Sequence, residues 1–347
     1  MIELVDVKAP APVGGRPPWQ DPDWLASADA WITASCADAG LTRTGPAQAR
    51  CRMYSVVARV PVAGGQVWFK ANPGASAFEP ALGHALSAWS PQDAPPVLAV
   101  DVDAEKDRAW ALTRDVGLRL DAVFAADPDI THWHTPIRRY ARLQIHLADR
   151  RADLLALGVP DLRPERIADV AEAMFADPAL IDTIGSPDGP TAEAFAAARE
   201  RMPVLREQWA RLAGLGIPAS LDHGDLHPGN ILGSGSDTRP FDWGDAVVGH
   251  PFATLLVVLR GAPAYSGVAA GGPELDVVRD TYLEPWIEYG VDAQVARQAV
   301  GLALPAGAVT RALAWRRVFA CYDATLRSRA NSAWWLARLG EPDPFSD

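Results

Sequence analysis

Between His223 and Trp243 the sequence gathers side chains that could move a phosphoryl group. His223-Gly224-Asp225-Leu226-His227-Pro228-Gly229-Asn230-Ile231-Leu232 sets a carboxylate five residues before a carboxamide and ends on an apolar pair. After the turn residues Gly233-Ser234-Gly235-Ser236-Asp237 the chain continues as Pro240-Phe241-Asp242-Trp243-Gly244. Phosphoryl transfer rests on positioning and on offsetting charge, with little covalent chemistry left to the protein. It needs one carboxylate to orient and deprotonate the attacking hydroxyl, a part open to Asp225. It also needs oxygen ligands such as Asn230 and Asp242 to hold magnesium on the phosphates. Magnesium takes few protein groups and keeps water and phosphate oxygens for the rest of its shell.

Two short strands joined by the Gly- and Ser-rich turn would carry Asp242 back alongside Asn230. Upstream, Met53 to Lys70 holds Val56, Val57, Val60 and Val62, then Ala63-Gly64-Gly65-Gln66, then Val67-Trp68-Phe69-Lys70. β-rich runs on either side of a Gly-Gly turn predict an antiparallel hairpin. Phe78 to Trp89 has helical spacing, and Pro95 to Val100 and Ala109 to Thr113 predict two further strands. Trp24 to Gly40 predicts a peripheral helix stopping at a glycine, after a Pro- and Gly-rich leader that ends near Pro18. Beyond Gly117 helical spacing dominates. Tyr140, Leu143 and Leu147 share one face, as do Trp315, Phe319, Tyr322 and Leu326, while Gly185 to Pro190 and Gly267 to Pro273 read as loops.

At the polar loop the sequence resembles the aminoglycoside phosphotransferase and choline kinase family. That family's catalytic loop reads His-x-Asp-x-x-x-x-Asn and is followed by an Asp in an Asp-Phe-Gly-like position. Here the residues are His223, Asp225 and Asn230, with Asp242 leading Asp-Trp-Gly. The resemblance implies that Asp225 is the catalytic base and that Asn230 and Asp242 bind Mg2+. Lys70 and Glu79 look like the kinase pair of strand lysine and helix glutamate that serves the nucleotide's α- and β-phosphates. Leu112, Thr113 and Arg114, followed by Asp115, look like the hinge whose backbone would meet adenine. The implied fold is α+β, the two-lobed protein-kinase-like fold. Its N-lobe, residues 1–115, would hold an antiparallel sheet and the nucleotide lysine, and its larger, mainly helical C-lobe, residues 116–347, the catalytic loop, with ATP between them. The implied activity is ATP-dependent phosphorylation of a hydroxyl on an amine-bearing or sugar-like molecule, such as an aminoglycoside or amino sugar, which would connect it with antibiotic resistance.

Two features depart from the family pattern. The stretch before the hairpin, Ala49 to Ser55, has no glycine where a Gly-rich phosphate loop would stand, and Thr254 stands near the place where many relatives carry an Asp. Asp245 is open to a substrate contact or to a helix cap. Glu284, Trp286, Glu288, Trp315, Tyr322 and Asp323 are candidates for a substrate wall, because aromatic faces and carboxylates suit a protonated amine or a sugar. His223 and His227 are expected to support the loop by hydrogen bonding. An inactive nucleotide-binding pseudokinase is the alternative reading. A hydrolase using His223, Asp225, His227, Asp242 and Asp245 as metal ligands is a further one, which leaves Lys70, Glu79 and Asn230 unexplained.

A formal charge of -11 over 347 residues speaks against nucleic acid as a partner, because phosphate contacts need clustered Lys and Arg. An acidic surface instead favours cationic ligands. Cys36, Cys51 and Cys321 are widely spaced, which suggests neither a disulfide framework nor a zinc site. Met1 to Gln20 has no apolar run suited to a signal peptide, and no stretch approaches the length of a membrane span. The expectation is a cytoplasmic enzyme, monomer or homodimer, acting on a small hydroxylated substrate.

Overall fold

The computed structural model describes residues 1–8, 18–52, 54–106, 108–321 and 326–341. It divides into two compact units: Met1–Val116 with the segment starting at Arg317, and Gly117–Arg316 with the segment starting at Leu326.

The first unit is built on six strands, β1 (Ile2–Lys8), β2 (Ala47–Arg52), β3 (Ser55–Val62), β4 (Gly65–Ala71), β5 (Val97–Asp103) and β6 (Arg108–Arg114), with helices α1 (Pro22–Asp38) and α2 (Phe78–Trp89). The sheet runs in the order β1-β2-β3-β4-β6-β5. Its neighbours are antiparallel except β1 and β2, which are parallel, so the sheet is mixed where the sequence predicted an antiparallel one. The leader reading missed β1. Leu4, Val5 and Val7 all stay exposed, so the strand lacks the apolar-polar alternation that marks a half-buried one. The predicted hairpin is present as β3 and β4, with Ala63 and Gly64 as its turn; Gly64 has φ +84°, a conformation glycine adopts without strain. α1 starts where Asp21 accepts the Asp23 N–H at 2.9 Å and Pro22 occupies the first turn. Its Trp31 and Trp24 pack on Trp110, which also meets Phe69 edge-on, in a core shared with Ile32, Val56, Val60 and Leu112.

The second unit is mainly helical, as predicted: α3 (Leu120–Ala126), α4 (His134–Leu147), α5 (Arg151–Ala156), α6 (Pro164–Phe175), α7 (Pro178–Ile181), α8 (Ala192–Glu200), α9 (Met202–Gly214), α10 (Leu255–Ser266), α11 (Pro273–Tyr289), α12 (Ala293–Cys321) and α13 (Leu326–Ala337). Five short strands interrupt them: β7 (Asp161–Leu162), β8 (Ser220–Asp222), β9 (Ile231–Ser234), β10 (Asp237–Pro240) and β11 (Val247–Gly249). They form a three-stranded sheet ordered β7-β11-β8 and the separate β9/β10 hairpin. The α4 stripe of Ile137, Tyr140, Leu143 and Leu147 is buried. Among the described residues no helix is long and apolar enough to cross a membrane.

Candidate active site

The polar loop hangs from β8, and β8 is held by a buried network. Gln144, fully buried on α4, donates to Leu221 O at 2.9 Å and Pro251 O at 3.2 Å, and accepts from the Tyr282 hydroxyl at 2.6 Å. The Ser220 hydroxyl donates to Gln144 O at 2.6 Å. Tyr140 Oη donates to Leu221 O at 3.2 Å and accepts the His223 N–H at 2.9 Å. A network whose members are all satisfied fixes backbone more firmly than apolar contact alone. The chain leaves β8 through Gly224, at φ +75°, where an added Cβ would stand 2.5 Å from Asp245 O. Only glycine meets both demands, and it turns Asp225 away from the strand.

His223 organises the loop rather than reacting. Its Nε2–H donates to Phe241 O at 2.8 Å and its Nδ1 accepts the Asp225 N–H at 3.3 Å, so both ring nitrogens are committed within the protein. Burial pushes its pKa down to about 4, keeping the ring neutral. Asn230 closes the loop by donating from Nδ2 to Asp225 O at 2.9 Å. The β9/β10 hairpin then pairs Ile231 with Pro240, and the Phe241 N–H reaches Asn230 O at 3.0 Å. The returning strand therefore delivers Asp242 to the end of the hairpin where Asn230 lies, as its sequence pattern predicted. Asp242 adopts φ 66°, ψ 59°, and is the single residue other than glycine with positive φ among those described. Trp243 anchors the turn that follows, buried against His223 at 4.6 Å between ring centroids and stacked on Tyr140.

The electrostatics of the loop centre on a residue the sequence reading did not single out. Arg311, buried on α12, places Nη1 3.1 Å from Asp225 Oδ1, 2.6 Å from Asp245 Oδ2 and 3.1 Å from Gly224 O. Asp245 is thus neither a helix cap nor an isolated carboxylate, but the second anion on that guanidinium. Burial pushes the Asp225 carboxyl up to about 7; Arg311 works against the rise, while Asp245 and Asp242 add to it. Asp222, at the end of β8, is also raised to about 7 by burial, and its Oδ1 accepts the Gly224 N–H at 3.2 Å. The Thr254 position, where the family pattern led to an Asp, lies beside this carboxyl, so β8 supplies an acid there instead. His227 accepts the Gly229 N–H at 3.1 Å on Nδ1, next to the Tyr265 hydroxyl at 3.2 Å, and its Nε2 stands 3.9 Å from Asp225 Oδ2.

In the first unit, Lys70 and Glu79 meet as predicted: Nζ lies 2.7 Å from both carboxylate oxygens, and Asn72 donates to the same carboxylate. Both side chains are largely buried, which strengthens such a pair relative to an exposed one. Leu112, Thr113 and Arg114, the predicted hinge, are the last residues of β6. They lie inside β6, opposite Phe69, Trp68 and Val67 of β4, with β5 on the other side for Leu112 and Thr113 and with the Arg114 N–H donated to Pro96 O. The glycine-free stretch before Lys70 forms β2 and the start of β3, with Arg52 opposite Ser55.

Of the predicted substrate wall, Trp286 is the residue that the structure takes away from a ligand. Trp286 is fully buried, packed edge-on against Phe252 and Tyr289, and shows no face to a ligand. Glu284 is paired with Arg138 at 2.6 Å and Glu288 with Arg142 at 3.6 Å, exposed ion pairs between α11 and α4. Trp315 is half-buried on α12; Tyr322 and Asp323 lie outside the described residues. The hydrolase reading also fails on geometry. Among the described residues no three His, Cys, Asp or Glu side chains form a metal-binding group, and His223 has no nitrogen left to ligate.

Residues 79–291 match the sequence profile of the APH family, described as the phosphotransferase enzyme family. Among solved structures the chain is similar to choline kinase from Cryptosporidium parvum Iowa II, with 13% identity and a TM-score of 0.59 over 88% of this chain and 93% of that one. It is similar to a choline/ethanolamine kinase family protein from Mesorhizobium loti, with 18% identity and a TM-score of 0.57 over 92% and 96%. It is also similar to the GDP and kanamycin complex of APH(2")-IIia, with 15% identity and a TM-score of 0.52 over 82% and 90%. No curated protein sequence matches the chain. The α+β fold is thus the protein-kinase-like one that the loop motif implied.

Proposed function

Because the chain belongs to the phosphotransferase enzyme family, we propose that it transfers the γ-phosphoryl group of ATP to a hydroxyl of a small amine-bearing or sugar-like molecule. The observation that carries this reading is the closed loop and its returning hairpin. Asn230 is tied to Asp225 O at 2.9 Å, and Phe241 to Asn230 O at 3.0 Å, so that three oxygen-bearing side chains belong to one rigid piece. Asp225 orients the acceptor hydroxyl and takes its proton. A carboxyl raised to about 7 by burial is well matched to that task near neutral pH. Lys70, steadied by Glu79 and Asn72, binds nucleotide phosphate oxygens, and the purine contact falls to the backbone of Leu112, Thr113 and Arg114 at the end of β6.

Asn230 and Asp242 fit a resident Mg2+. With its Nδ2 spent on Asp225 O, Asn230 keeps its amide oxygen as a hard donor, and Asp242 adds a carboxylate. A cation that completes its shell with water and phosphate oxygens needs no third acidic ligand. When bound, it would neutralise charge on the phosphates.

Names among the similar structures suggest the acceptors to try: choline, ethanolamine and kanamycin. The GDP in one of them makes GTP worth testing beside ATP. The test is transfer from Mg-ATP or Mg-GTP to each, with the phosphorylated product identified by mass spectrometry. Asp225→Asn should lower turnover by about 10²–10⁴-fold while nucleotide affinity stays near that of the wild type. Undiminished transfer by that variant would remove Asp225 from its role.

A further inference from the structure

We propose that Arg311 is a positioning residue for phosphoryl transfer, a buried guanidinium that locks the Asp225 carboxylate against Asp245. The proposal rests on the assignment of Asp225 as the base. Three pieces of chain converge on one nitrogen, Nη1: the Gly224 carbonyl in the turn out of β8, Asp225 Oδ1 in the loop, and Asp245 Oδ2 just beyond Asp242. Their distances, 3.1, 3.1 and 2.6 Å, make Asp245 the tightest partner and therefore the anchor. Arg311 itself is 7% exposed, with its guanidinium near the Trp335 ring. A charge so buried persists only when it is paired and hydrogen-bonded, and an arginine cannot escape by losing its proton.

The arrangement divides the two oxygens of Asp225. Oδ1 is held by Arg311, whereas Oδ2 has His227 Nε2 at 3.9 Å, beyond hydrogen-bond range, and is the oxygen left to take a proton. One carboxylate would rotate freely about its side-chain bonds; tied to α12 it presents a fixed edge. Misplacing a reacting group by about 1 Å can lower turnover by about 10²-fold. Asp245 contributes by holding the guanidinium in place, which explains why a second acid stands so close to the base. A lysine could supply the charge, but its nitrogen sits one bond nearer the backbone than Nη1 and would not reach the point where the three acceptors converge.

The test compares Arg311→Lys, Arg311→Ala, Asp245→Asn and Asp225→Asn with the wild type. The assay is phosphate transfer from Mg-ATP or Mg-GTP to water, choline, ethanolamine or kanamycin, whichever is fastest. Arg311→Lys should lower kcat about tenfold or more, and Arg311→Ala about 10²-fold, with KM for the nucleotide within about twofold. Methylguanidine added at millimolar concentration should restore part of the Arg311→Ala rate but none of the Asp225→Asn rate. Asp245→Asn should also lower kcat without responding to methylguanidine. Melting curves establish that each variant is folded; if Arg311→Ala is not, the Lys variant decides. Wild-type kcat in Arg311→Lys, with Asp225→Asn inactive, overturns the role of Arg311 and leaves the phosphotransferase reading standing. Equal turnover by Asp225→Asn and wild type, or no turnover with any acceptor, overturns that reading and the inference with it.

Discussion

Replacing Asp222 by Asn should make the protein more stable at neutral pH, and increasingly so as the pH rises. Asp222 is 1% exposed at the end of β8; Oδ1 accepts the Gly224 N–H and Oδ2 has no hydrogen-bond partner among the described residues. Burial raises its pKa to about 7, against an ordinary 3.8, in spite of the nearby Arg311. The folded protein therefore keeps a proton that the unfolded chain has already released. The contribution is complete below the unfolded value and is lost as pH rises through the folded one. At about 1.36 kcal/mol per pKa unit, folding stability should fall by a few kcal/mol between pH 5 and pH 8 on account of this group alone. The Asn variant cannot titrate, keeps the acceptor for Gly224, and brings an NH2 that the hydroxyls of Thr254 or Thr310 could accept. Urea unfolding followed by tryptophan fluorescence at several pH values reads the result, since other groups cancel in the difference between the two proteins. The expected outcome is a gap that widens by a few kcal/mol from pH 5 to 8. A gap that stays constant across that range would refute the argument.

Gly224→Ala forces φ +75° on a residue with a Cβ and sets that atom 2.5 Å from Asp245 O. Thermal melting should show a loss of about 2 kcal/mol or more, and turnover should fall because Asp225 is displaced. Lys70→Met removes the cation held by Glu79, so nucleotide affinity measured by calorimetry should drop about tenfold; an unchanged affinity would release Lys70 from the phosphate site. Asp242→Asn should raise the magnesium concentration needed for half-maximal turnover, read from a metal titration. Trp286→Ala should cost about 3–5 kcal/mol in unfolding experiments and leave KM for the acceptor unchanged, the reverse of what a substrate wall would give.

The loop was legible because spacing alone defines it: an acid five residues before an amide, then a hairpin whose length fixes which residues return together. Lys70 and Glu79 were legible because a strand end and a helix start are local features, and the side chains reach 2.7 Å. Arg311 was not. It sits in an Ala-rich helix, and its partners Asp225 and Asp245 are 86 and 66 residues distant, a pairing that no periodicity encodes. Trp286 misled for the same reason: helical spacing marks the buried stripe but does not say whether the stripe meets a ligand or Phe252. Asp222 drew no reading from the sequence, since its burial depends on α4, β11 and α12 together rather than on its own short strand.

The backbone of Asp242 bears on how this enzyme could be engineered. An L-residue in the left-handed region is disfavoured by roughly 1–2 kcal/mol, less for Asp and Asn than for others, and glycine tolerates it without that cost. A library screened for heat resistance should therefore enrich Gly at position 242, discarding the carboxylate proposed to ligate the cation. Thermotolerance and turnover would select opposite residues at this one codon, so screens for robustness would have to keep it fixed.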